Sequence, residues 1–238
     1  MKGTKLSFFL PLRCVIFFLI FIIGAAVVNK DLEDISSWWS VTATAVNIFT
    51  IIFLIIAARQ NGMTYPQLIN YEKGKTKLRQ IIIISLIIIS LGTSCMFAAG
   101  FICYGVIPYA APMMIEPIPK YLAIINLPLL PITTALAEDG LYFGCGVSRI
   151  KNKALAIAVP AFFFALQHSF IPTLFDVRYI IYRFISFLPL TVILCWYYWK
   201  KRDPLPIMIG HALIDVATVV QILATSTIPG FYDKMCGS

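Results

Sequence analysis

Apolar residues gather in seven long runs, at 12–28, 41–58, 81–107, 121–147, 154–171, 179–199 and 204–228, each closed by charged or proline-containing segments. About 20 apolar residues cross a bilayer as one helix. The pattern therefore predicts an all-α, polytopic integral membrane protein of about seven transmembrane helices (six to eight), with residues 1–238 as a single membrane-embedded domain. Basic residues precede the first run, as in a signal peptide, but no small-residue cleavage site is evident and six runs follow, so it is read as a retained span. Residues 1–80 then hold two spans and a basic loop. The connection 59–80 is the only long one, and its polarity favours a solvated loop over a short interfacial helix. Pro128 and Pro131 predict a break or kink in the fourth run ahead of its polar part. The isoleucines of 81–89 read as lipid-facing.

Composition agrees with lipid as the solvent: 60% of residues are hydrophobic and 13% charged, against about 45–50% and about 25% in soluble domains. The net charge is +8, and its arrangement excludes a nucleic-acid-binding face. The loops alternate. The amino-terminal Lys2, Lys5 and Arg13, the segment from Arg59 to Arg79, the Arg149–Lys153 turn and the Lys200–Arg202 turn are basic. The loops between them are acidic or neutral. Cytoplasmic loops carry the excess of Lys and Arg, so the amino terminus is expected in the cytoplasm of a cell membrane, a bacterial plasma membrane being favoured. The six cysteines form no CxxC pair, which argues against a disulfide framework or zinc ribbon.

Chemistry has to come from polar groups that lipid excludes, each costing about 2.5–3.5 kcal/mol at mid-membrane on insertion scales. Six stand away from the expected span ends: Glu138 and Asp139, His168, Arg183, and His211 with Asp215. Adjacent carboxylates on a helix point about 100° apart and repel in low dielectric, so at least one needs a proton or a partner. Gly140 and Gly144 offer a small-residue face for a close neighbour. Phe164 and His168 share a helix face. His211 and Asp215 are also four apart, close enough for the carboxylate to accept from the ring and fix its tautomer. Counted at about 1.5 Å per residue from the basic ends, Glu138 and His211 lie about 13–17 Å deep and His168 about 22 Å, a mismatch in level.

EDGLYFG, FALQH and HALID resemble, in order and context, the three motifs of the CPBP intramembrane proteases, also called Abi: Glu-Glu-x-x-x-Arg, Phe-x-x-x-His and His-x-x-x-Asn/Asp. That family includes CAAX prenyl endopeptidases and bacterial proteins linked to bacteriocin maturation and self-immunity. The resemblance covers about 121–226 and places Glu138, Asp139, Phe164, His168, His211 and Asp215 at motif positions. Where the motif has Arg, this chain has Phe143, so Asp139 is expected to lack its counter-ion unless Arg149 or Arg183 supplies one.

The resemblance implies an intramembrane endopeptidase acting on a peptide, prenylated or leader-bearing. Glu138 would be the general base and His168 would hold the same water. His211, oriented by Asp215, would stabilise the oxyanion, with Asp139 and Phe164 in support. No cofactor is favoured. The rival is zinc held by Glu138, His168 and His211, although no HExxH helix is present. Two further classes stay open: a catalytically silent immunity or partner-binding protein, which Phe143 keeps in play, and a proton-coupled transporter, against which the short chain without paired halves argues.

Overall fold

In the computed structural model, which describes residues 7–109 and 111–236, the chain is all helical, with no strand among the described residues. Lys2 and Lys5 lie outside them. The helices are α1 (Phe9–Val28), α2 (Leu32–Ser36), α3 (Trp39–Gln60), α4 (Tyr65–Leu68), α5 (Leu78–Tyr104), α6 (Lys120–Thr134), α7 (Lys153–His168), α8 (Val177–Lys201), α9 (Leu205–Thr227) and α10 (Phe231–Cys236). Six helical stretches are long and apolar enough to cross a membrane: α1, α3, α5, Lys120–Val147, α8 and α9. The seventh expected span, α7, has only 16 residues. After His168 the chain continues as irregular backbone through Ile171, Thr173 and Leu174, all buried. Non-helical backbone at membrane depth is tolerable only when protein covers it.

Large apolar side chains such as Phe49, Leu86, Ile102, Ile124 and Ile132 stand exposed around the bundle. A surface of that kind needs lipid rather than water. The isoleucine run is only partly lipid-facing: Ile82, Ile83 and Ile89 point outward, whereas Ile84 and Ile88, four apart, pack into the core.

The loops collect at two ends. At one, Asn70 donates to Ser148 at 2.8 Å, Arg202 to the same hydroxyl at 3.2 Å, and Thr76 to Asp203 at 2.8 Å. This joins the three basic segments, whose only acids are Glu72 and Asp203. At the other end the Trp39 indole donates to the Met114 carbonyl and the Ile118 amide to Ser226. There Asp31, Glu33, Asp34, Glu116, Asp176 and Asp233 outnumber Lys30, Lys120, Arg178 and Lys234.

Two expectations need correction. Pro128 and Pro131 sit inside α6 without ending it; the helical path runs on, and from Ala135 to Val147 it widens into a π-helix. The Ser148 amide accordingly bonds the Phe143 carbonyl, five residues back, at 2.9 Å. Proline removes an amide from the ladder, and a wide turn is one way for the backbone to re-register, often at functional sites. The segment 59–80, moreover, is not simply a solvated loop. A Thr64/Gln67 capping box starts α4, and Leu68 and Ile69 are buried beside Gly144, where an added Cβ would meet the Leu68 carbonyl at 3.2 Å. The close neighbour that the glycines admit is therefore this segment, together with Leu54 of α3 at Gly140.

Candidate active site

The π segment aims its adjacent carboxylates at different neighbours. Glu138, 3% exposed, faces α1 and α7, whereas Asp139, 1% exposed, faces α9. Glu138 Oε1 accepts from Arg13 Nη2 at 3.0 Å in an ion pair closed to solvent on both sides. Arg13 uses four of its five N–H donors: besides Glu138, Nε donates to Gln167 at 2.7 Å, Nη1 to Thr50 at 2.7 Å, and Nη2 also to Asn47. Gln167 accepts in addition from Tyr142, and Asn47 donates to Thr134 at 2.9 Å. One guanidinium thus ties α1, α3, α7 and the π segment together.

Arg13 is the member of this cluster that the sequence does not single out, because it reads there as one of the orientation charges of the amino-terminal tail. It lies inside α1, 2% exposed. Its signal was present, a cation in FLPLRCVIFF with apolar residues on both sides.

His168 Nδ1 lies 2.7 Å from the Phe164 carbonyl. A carbonyl only accepts, so Nδ1 carries the hydrogen and Nε2 is left facing Glu138 Oε2 at 3.9 Å. That oxygen has no hydrogen-bond partner. The expected mismatch in level is resolved by packing. An added Cβ on Gly146 would meet the Pro160 ring at 2.9 Å, so the two residues share a level; Glu138 lies eight residues before the first and His168 eight after the second, on oppositely directed helices. The first turns of α7 project past the end of the π segment toward the headgroups, where Lys153 lies over the Trp199 ring.

His211 does not bond Asp215, as its spacing suggested. Its Nδ1 lies 3.2 Å from Asp139 Oδ1, across the helix interface. A fully buried carboxylate is costlier to leave unpaired than one on a cavity wall, and this explains the exchange of partners. Asp215 stays half-buried, with Oδ2 unbonded. The hydrogen-bond partner of Asp139 is therefore an imidazole. Arg149 turns to Met63, and Arg183 donates to the carbonyls of His168 and Ile171. Phe143 is fully buried against Tyr198 and Phe164. The Phe164 ring stacks on Tyr142 and stands 5.7 Å from His168 and 5.9 Å from His211, a floor between the imidazoles.

Glu138, His168, His211 and Asp215 line one cavity of about 310 Å³, which is otherwise mostly apolar. Behind it, the Tyr65 hydroxyl donates to the Leu136 carbonyl of the π segment. Burial pushes that hydroxyl well above its ordinary range, so it stays a neutral donor.

Residues 120–217 match the family described as type II CAAX prenyl endopeptidase Rce1-like. The match supports the CAAX protease family for this part of the chain. No curated protein and no solved structure matches. The Rce1-like domain runs from the start of α6 to two residues past Asp215, and includes Glu138, Asp139, Phe164, His168, His211 and Asp215. Arg13, Asn47, Thr50 and Tyr65 lie outside it. The family is one of CAAX-type intramembrane endopeptidases, and the protein is a multi-pass membrane protein. Among the described residues, no three His, Cys, Asp or Glu side chains are grouped as metal donors.

Proposed function

We propose that the cavity hydrolyses a peptide bond with a water activated by Glu138 and His168. Glu138 has one oxygen tied to Arg13 and the other free, and the free one faces His168 Nε2 at 3.9 Å. That gap is too long for a direct hydrogen bond, but a water beside the line joining the two atoms can reach both at about 2.8 Å. Oε2 takes the proton as the water attacks the scissile carbonyl, and later delivers it to the leaving amine. The imidazolium of His211, held through Nδ1 by Asp139, turns Nε2–H toward the developing oxyanion. In this reading Asp139 takes the orienting role first expected of Asp215. Asp215, one turn further along the wall, accepts from the substrate backbone. No covalent intermediate and no metal enters the scheme.

The observation that carries this reading is the divided carboxylate of Glu138, one oxygen anchored and one presented to an imidazole in a cavity. The test is peptide cleavage by the reconstituted protein. Glu138→Gln, which keeps an oxygen for Arg13, should abolish turnover and leave the fold intact; activity comparable to the parent would refute the assignment. Binding or protection of a partner without any cleavage would instead favour the silent, immunity-type reading.

A further inference from the structure

His168 is the last residue of α7, and helix ends fray because their final carbonyls have no amide partner within the helix. Its own carbonyl would bond the amide four residues on, but position 172 is a proline, which has none. The proposed reaction does not tolerate a loose end there. The water shared by Glu138 and His168 fits a gap of 3.9 Å, and a misplacement of about 1 Å can cost about 10²-fold in rate. The contact of Nδ1 with the Phe164 carbonyl stays within α7. It orients the ring on its own helix without holding the end of that helix against the π segment.

Arg183 of α8 supplies the missing hold. Its Nε donates to the His168 carbonyl at 3.1 Å and its Nη2 to the Ile171 carbonyl at 3.3 Å. The carboxyl end of a helix favours a cation, and a planar fork serves two carbonyls at once where a lysine offers a point charge. Arg183 is buried and, among the described residues, forms no ion pair. A buried guanidinium without a carboxylate is costly, so these carbonyl bonds are what offset its burial. One turn along α8, Phe187 reaches the imidazole itself. The two rings stack with centroids 3.7 Å and planes 13° apart, and the Arg183 guanidinium carbon lies 5.0 Å from the Phe187 centroid. Arg183, Phe187, His168 and Glu138 all line the cavity.

We infer that Arg183, together with Phe187, is a positioning residue for His168: it clamps the carboxyl end of α7 to α8, so that Nε2 keeps the distance from Glu138 that one water bridges. The consequence for catalysis rests on the proposed peptidase reading. The clamp itself stands on the contacts between α8 and α7.

The chain has two histidines, so ring nitrogen-15 resonances of histidine-labelled protein in micelles report both sites, and His168→Gln assigns them. At a pH of about 8.5, about two units above the ordinary imidazole pKa, His168 in the parent should show one tautomer, Nδ1 protonated and Nε2 bare. Arg183→Gln should broaden that signal or average it between tautomers while leaving the His211 signal in place, and Arg183→Lys should restore it at least in part. A role confined to overall stability would move both histidines or neither. An unchanged His168 signal in Arg183→Gln overturns the inference. Should Arg183→Gln disturb both sites, Phe187→Leu decides, because it removes the stack and leaves the carbonyl bonds: His168 alone should respond, and a His168 signal like the parent's overturns the inference. Cleavage gives the second arm. Per folded protein, Arg183→Gln should lower kcat about 10²-fold with KM little changed. A released His168 signal with parental kcat overturns the inference. A released signal when the parent itself cuts no peptide upholds the clamp and refutes the peptidase reading.

Discussion

Arg13 and Glu138 form a pair with side-chain exposures of 2% and 4%, so solvent does not weaken their coupling, and removing one partner leaves a bare charge. Breaking such a pair typically costs about 3–5 kcal/mol, which at about 1.4 kcal/mol per decade is roughly a 10²- to 10³-fold shift, or more, in the unfolding equilibrium. Arg13→Gln should lie toward the upper end, because it also strips donors from Thr50, Asn47 and Gln167. Glu138→Gln should cost less, about 1–3 kcal/mol. Its amide oxygen can still accept from Arg13, which keeps three neutral acceptors and its place over the Phe17 ring. The double variant buries no charge and should be more stable than Arg13→Gln alone, although it carries one more substitution. Denaturant unfolding in detergent micelles, followed by tryptophan fluorescence, measures all four states of the cycle. Additive losses, or an Arg13→Gln cost under about 1 kcal/mol, would refute the claim that the two charges are strongly coupled.

Three further outcomes can be checked with the same material. Asp139→Asn should lower kcat by roughly 10²- to 10⁴-fold through loss of the charged partner of His211, and Asp215→Asn by much less; the reverse order would restore the local His211–Asp215 pairing. Cleavage should survive a strong chelator, and its loss with recovery on added zinc would replace the glutamate scheme by a metal one. Gly140→Ala should cost about 1–3 kcal/mol, since its Cβ would meet the Tyr65 hydroxyl at 2.6 Å. The same change should cost less in a Tyr65→Phe background, where that oxygen is gone, and equal costs in both backgrounds would show that the contact relaxes freely.

The helical spans were legible because lipid burial is a local property, recorded in each run of apolar residues. The predicted run 179–199 became Val177–Lys201, and 204–228 became Leu205–Thr227. Two runs overreached by three residues each: 81–107, whose helix ends at Tyr104, and 154–171, where apolar residues past His168 are buried as irregular backbone rather than as helix, and composition does not separate the two. The ionisable residues were legible for the same reason, since lipid makes every charge conspicuous. Their partners were not. His211 and Asp215 satisfy a spacing rule on one helix, yet the ring turned to Asp139, 72 positions away, because pairing is decided by which carboxylate is buried most deeply. Arg13 escaped because a cation near the start of a run resembles an orientation signal until tertiary packing places it at Glu138.

The missing motif arginine can be understood through this charge arrangement. The Rce1-like domain by itself brings two carboxylates to the cavity wall, Glu138 and Asp215, and a third, Asp139, behind His211, against two imidazoles. Its one membrane-embedded arginine, Arg183, is turned to backbone carbonyls. Position 143 can therefore be a core phenylalanine, stacked on Tyr198, only because the compensating charges come from elsewhere: His211 for Asp139 and Arg13 for Glu138. The second of these comes from α1, outside the matched family region, and is aimed by Asn47 and Thr50 of α3. The first two spans thus act as part of the electrostatics of the site, and any comparison of this chain with its family that considers only the motif helices will count one positive charge too few.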